Sequence, residues 1–192
     1  MLSFCYTLSM TKSGKLKSIA ANIARCKECK IGKSGLPVPG EGNPDADIVF
    51  LGEAPGKNEA ATGRPFIGRS GQLLRKHIRE AGLVETDVYI TSPVKYLPDR
   101  GTPTKQDIRH GKIHLSEQLS VINPKIIVLL GATAVYAMLE RTEPIMKSHG
   151  KIIKDGGRTY FITLHPAAVI RFPKYAPLMQ QDFALLASLI SS

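Results

Sequence analysis

Three groups of residues have types and spacing suited to chemistry. Two carboxylates, Glu53 and Glu59, sit in GEAPGKNE, directly after the apolar run Ile48 to Leu51. A histidine, His165, stands in LHPAAVIRFPK after another apolar run. Two thiols, Cys26 and Cys29, form a C-x-x-C pair. Carboxylates and a histidine are the groups that place negative charge and hydrogen-bond donors around a reacting centre. A bare turn needs neither Glu53 nor Glu59. GEAPGKNE is also not a phosphate loop, which wants Lys followed by Ser or Thr, nor a dinucleotide fingerprint, whose glycine pattern it lacks. That leaves a nucleotide-handling α/β enzyme as a weak reading. A C-x-x-C without a second pair is weak evidence for zinc.

Alternating elements must position these groups. KLKSIAANIAR, 15–25, has helical apolar spacing, and a Gly- and Pro-rich loop follows it. DIVFLG is a short buried strand. Residues 71–81 form a helix closed by Gly82, and 88–91 form a second strand. Thr104 and Asp107 make a capping box for a helix over 105–122. KIIVLL, 125–130, is a third strand, followed by the helix ATAVYAMLE. Residues 160–163 form a fourth strand, and a last helix covers about 177–190. Strands apolar on both faces, alternating with helices, predict a three-layer α/β/α fold around a central, mainly parallel four-stranded sheet. In such sheets the site lies beyond the carboxyl ends of the strands. Residues 15–192 are expected to form this single domain. Residues 1–14 read as an N-terminal extension, disordered in this reading, with Met10 an alternative start.

Composition narrows the class. The chain has 192 residues, 26 basic against 16 acidic, for a formal net charge of +10. The excess suits a polyanion such as nucleic acid, and plain solubility explains it equally well. Three cysteines make a disulfide framework improbable. No apolar run approaches a membrane span, and the first residues lack a basic n-region, so the expected setting is cytoplasmic, without membrane association.

The loops, in order, resemble the motifs of the family 4 (thermostable-type) uracil-DNA glycosylases. GEAPG-x-x-E at 52–59, GRPFIGRSG at 63–71, INPKIIVLLG at 122–131 and HPAA at 165–168 carry the resemblance, which covers roughly 24–186. It implies the uracil-DNA glycosylase-like fold and a monomeric, monofunctional glycosylase of base excision repair. Such an enzyme flips a deaminated base, uracil first, out of DNA and hydrolyses its N-glycosidic bond with water, leaving an abasic site. The broken bond leaves a sugar cation and a base anion, so negative charge belongs near the first and donors near the second. The resemblance makes His165 the donor to uracil O2 and Glu53 the carboxylate that positions water or stabilises the cation. Glu59 matches a second family carboxylate with the same type of catalytic role. Structural pairing of Glu53 with an arginine is the plainer alternative. Gly52, Ala54, Pro55 and Gly56 would shape a turn around the base. Phe66 is a stacking platform or, more simply, core. Arg64, Arg69 and Lys95 would face DNA, the two arginines being equally readable as solvated surface charges. Arg171, Phe172 and Lys174 would enter the duplex gap and grip phosphates, with Phe172 as the wedge.

The match breaks at two places. The family holds a [4Fe–4S] cluster with four cysteines. Cys26 and Cys29 match the first pair, but the other positions fall at Tyr96 and at about Gly111. The expectation is no cluster, no bound metal and no cofactor, with Cys26 and Cys29 a remnant pair. His110 and His114 are the alternative nitrogen donors, and Cys5 is a remote candidate. Second, Ser92 stands where the family reads uracil through Asn. A hydroxyl offers one arm instead of two. Uracil read through water, a weaker enzyme, or another deaminated base such as hypoxanthine all remain open. So does a catalytically weakened relative that only binds uracil- or abasic-site DNA.

Overall fold

The computed structural model describes residues 10–191. Cys5 and most of the proposed N-terminal extension lie outside them. The chain runs α1 (Lys12–Arg25), α2 (Lys27–Lys30), β1 (Lys33–Ser34), β2 (Glu41–Gly42), β3 (Ile48–Leu51), α3 (Lys57–Thr62), α4 (Arg69–Glu80), β4 (Tyr89–Thr91) and β5 (Leu97–Pro98). It continues through α5 (Lys105–Ile122), β6 (Ile126–Leu130), α6 (Ala132–Leu139), α7 (Ile145–Ser148), β7 (Ile152–Asp155), β8 (Arg158–Thr163), α8 (Pro166–Arg171) and α9 (Ala176–Ser191).

Local signals explain the helix ends. Thr11 accepts from the Gly14 N–H, so α1 starts at Lys12, earlier than the apolar spacing alone suggests. The capping box of Thr104 and Asp107 opens α5 as expected. Gly82, at φ +75°, lets the Leu83 N–H return to the Ile78 carbonyl at 3.1 Å and closes α4.

The four expected strands form the parallel centre of the sheet: β3 lies between β4 and β6, and β6 pairs with β8. The sheet is wider than four, however. It has six strands in the order β2-β4-β3-β6-β8-β7, with antiparallel β2 and β7 on its edges. A separate two-stranded ribbon pairs β1 with β5. Alternation along the strands divides the core. Val49, Leu51, Ile127 and Leu129 pack under α1, α5 and α6, while Ile48, Phe50, Val128 and Leu130 pack under α4, α8 and α9. This is the three-layer α/β/α arrangement. No helix among the described residues is long and apolar enough to cross a membrane.

The chain leaves β3 towards β4 on one side, and β6 lies on the other. That reversal opens a crevice at the carboxyl ends of β3 and β6, the usual ligand position in open α/β sheets.

Candidate active site

The crevice holds one cavity of about 210 Å³, lined by Glu53, Pro55, Phe66, Ser92 and His165 among others. Four separate loops contribute these side chains, as the order of strands requires. Ala54 and Gly56 line it too, so the whole turn after β3 faces the same space.

His165 is the N-cap of α8, and its Nδ1 accepts the Ala167 N–H at 3.1 Å. An accepting Nδ1 carries no proton, so the neutral ring presents Nε2–H as its donor. Burial pushes the His165 pKa below its ordinary value, and the Glu53 carboxylate only partly opposes this. The ring is therefore neutral at neutral pH. Gly131 at the end of β6 makes room for it: a Cβ there would lie 2.9 Å from the His165 Cβ.

Glu53 is held from across the crevice. The Thr133 hydroxyl, at the start of α6, donates to Glu53 Oε2 at 2.6 Å. Thr133 carries no local sequence signal beyond its place after the third strand, and it was not anticipated.

Phe66 answers why glycines crowd these motifs. Its ring packs so close to β3 that a Cβ on Gly52 would lie 2.5 Å from Phe66 Cζ. Its carbonyl packs so close to α4 that a Cβ on Gly71 would lie 1.9 Å away. Phe66 itself has φ +51°, a left-handed backbone that bulky residues rarely adopt. Its ring lies 6.0 Å from that of His165. The strained turn is held by Arg75, whose guanidinium donates to the Phe66 and Pro65 carbonyls at 3.1 and 3.3 Å. Arg75 also pairs with Glu41 and Glu85. Sequence spacing did not reveal Arg75, since a basic residue inside a helix has no distinguishing pattern.

Glu59 has structural partners as well, and Lys95 departs from its expected role. Glu59 lines the cavity, but its Oε1 accepts the N–H groups of Ile67 and Gly68 at 2.9 and 2.8 Å. Through that oxygen it ties the Phe66 turn to α3. Lys95 does not face DNA. It is buried, and its Nζ donates to Pro39 O, Thr91 Oγ1 and Gln118 Oε1 at 3.2, 2.8 and 2.7 Å. Burial lowers its pKa to about 7, with the nearby Cys29 raising it.

Ser92 is buried against the cavity, and its hydroxyl donates to the Val94 carbonyl at 2.8 Å. Its single proton is thereby committed, and only lone pairs remain for a ligand.

The residues expected at DNA fall outside the cavity lining. Arg69, Arg171 and Lys174 are exposed, and Lys57 joins Arg69 in an adjoining groove. Phe172 is 45% exposed, with the Arg171 guanidinium 5.4 Å from its ring centre. Arg64 is exposed but is paired bidentately with Glu41.

Comparison with known proteins agrees with this geometry. Residues 39–187 match the family model described as the uracil DNA glycosylase superfamily. The Type-4 uracil-DNA glycosylase of Saccharolobus solfataricus is 36% identical over 191 residues, covering 92% of this chain and 87% of its own length. That of Thermotoga maritima is 38% identical over 165 residues, covering 84% and 86%. The Type-5 uracil-DNA glycosylase of Pyrobaculum aerophilum is 31% identical over 151 residues, covering 69% and 66%.

Proposed function

The chain belongs to the uracil DNA glycosylase superfamily, and from that premise we propose how its own residues excise uracil from DNA in base excision repair. Uracil turned out of the duplex enters the cavity and lies against Phe66, an aromatic contact worth ~1 to 3 kcal/mol per base. As the glycosidic bond lengthens, negative charge spreads over the base carbonyls. His165 donates Nε2–H to O2 and holds that charge, while Glu53 supplies the negative charge that the sugar cation needs. Water attacks the anomeric carbon. Among the described residues that line the cavity none is a lysine, which supports water as the nucleophile. Arg69, Arg171 and Lys174 take phosphates, and Phe172 fills the gap left by the base. The enzyme works as a monomer in the cytoplasm.

The observation that carries this reading is the His165 tautomer. The Ala167 N–H on Nδ1 directs the remaining ring proton, on Nε2, to the substrate.

Ser92 supports a second reading of base preference. An acceptor-only hydroxyl takes the N3–H of uracil, but it takes the N1–H of hypoxanthine equally well. Base release from matched duplexes containing one uracil, hypoxanthine or mismatched thymine tests both. Release of uracil by the native protein upholds the main reading. Release of hypoxanthine alone replaces it. No release, with retained DNA binding, leaves a lesion-binding protein. Ser92→Asn alongside shows whether a second amide arm sharpens uracil preference.

A further inference from the structure

Away from the cavity, the C-x-x-C pair meets α5. Cys26 lies at the junction of α1 and α2, and its Sγ accepts the Cys29 N–H at 3.4 Å. His110 and His114 are one turn apart, so α5 presents both on one face. One donor atom from each of Cys26, Cys29, His110 and His114 lies within 4.8 Å of the others. Cys26 Sγ and His110 Nε2 are 3.2 Å apart. A tetrahedral ion with bonds of about 2.3 Å to sulfur and 2.0 Å to nitrogen separates its donors by roughly 3.3 to 3.8 Å. The Cys26–His110 separation already stands at that scale, and the remaining separations are within 4.8 Å.

The surroundings are those of a metal site. His110 turns its other nitrogen, Nδ1, to Glu28 Oε2 at 3.3 Å, the carboxylate–histidine pairing that orients a ligating ring. His114 Nδ1 is buried without a hydrogen bond, with Glu117 Oε2 no nearer than 3.7 Å. A buried polar atom left so is costly unless something else satisfies it.

The family's four-thiolate cluster does not fit here. Tyr96 fills the third cysteine position, buried, with its hydroxyl 3.4 Å and 3.5 Å from the carbonyls of Ile23 and Ala24. At the fourth position, a Cβ on Gly111 would lie 2.0 Å from the Pro93 carbonyl oxygen. No cysteine side chain can be placed there without moving the loop after β4. The histidines on either side of Gly111 point to a different ion instead.

We propose that Cys26, Cys29, His110 and His114 bind one zinc ion. Two thiolates and two imidazoles in a closed tetrahedron are a structural zinc donor set, in the spacing C-x2-C and H-x3-H. The ion clamps the α1–α2 junction to α5 and holds no substrate.

The test is metal and acid-labile sulfide analysis of the native protein, with cobalt(II) titrated into metal-stripped protein. The expected result is one zinc per chain, no sulfide, and the visible d–d and thiolate charge-transfer bands of tetrahedral cobalt. Cys26→Ser and His114→Ala should each weaken cobalt binding more than tenfold. Iron with sulfide overturns the proposal. So does no metal after zinc-supplemented expression, or zinc retained at full stoichiometry by the variant that combines Cys26→Ser with His114→Ala. If the variants do not fold, the cobalt spectrum of the native chain decides alone.

Discussion

The cavity beyond β3 and the cysteine corner beside α5 both gather side chains from distant parts of the chain, but they are fixed in opposite ways. In the cavity, neighbouring groups hold each key side chain: Ala167 N–H holds His165, Thr133 holds Glu53, and Arg75 with Glu59 holds the Phe66 turn. Those contacts are complete without any ligand, which is what preorganised catalysis requires. In the corner, two thiols and two imidazoles approach one another with a buried nitrogen unsatisfied. The proposed zinc ion would supply the partner that this region lacks. Activity should therefore depend on the first region, and stability on the second.

The largest effect that would sharpen this contrast comes from His165→Ala. Removing one donor to a developing anion costs about 100- to 1000-fold in rate. Single-turnover uracil release should fall by that amount while the melting temperature stays close to native. A matching loss of stability would break the contrast.

Chelation should do the reverse. An ion bound at about a thousand times its dissociation constant stabilises by roughly 4 kcal/mol, which for a chain of this size corresponds to roughly 10 °C in Tm. Calorimetry with and without chelator measures the shift, and uracil release at 25 °C by the still-folded protein should change less than threefold. Activity lost before any unfolding would mean that the corner reaches the cavity.

Arg75→Met tests the Phe66 turn. Two carbonyl contacts and the support of a strained φ are lost, which should cost about tenfold in kcat/KM with a smaller change in Tm. Unchanged kinetics would show that the turn holds itself.

The smallest effect is in pH. The His165 pKa lies below the ordinary histidine value of 6.5. The neutral ring therefore persists as pH falls through 6.5, and kcat/KM should stay flat there, declining only as pH passes the lowered folded value. Any stability tied to the neutral ring follows the same sign, present above 6.5 and lost on acidification. An acidic limb at or above 6.5 in the rate profile would show that burial does not keep the ring neutral.

The centre of the fold was legible because buried parallel strands read as short continuous apolar runs. The edges were not. β2 is two residues inside a Gly- and Pro-rich loop, and β7 is largely exposed, so neither has an apolar pattern. Gly156-Gly157, both at positive φ, is the hairpin signal that could have revealed β7. Glu53, Phe66, Ser92 and His165 were legible as one site because topology brings strand ends together. Lys95 was misread because a residue's type does not say whether its charged end meets solvent or a buried partner. Cys26 and His110 are 84 residues apart, and only the packing of α1 and α2 against α5 shows them adjacent.

The ends of the sheet have a consequence for colloidal behaviour. An exposed strand edge invites another chain to pair with it, and natural proteins blunt this with brevity and charge. Here one edge is the two-residue β2, and the other, β7, carries Lys154 and Asp155 beside a diglycine hairpin. Neighbouring molecules thus offer each other little template for strand addition at these edges, and the net charge of +10 adds repulsion between them.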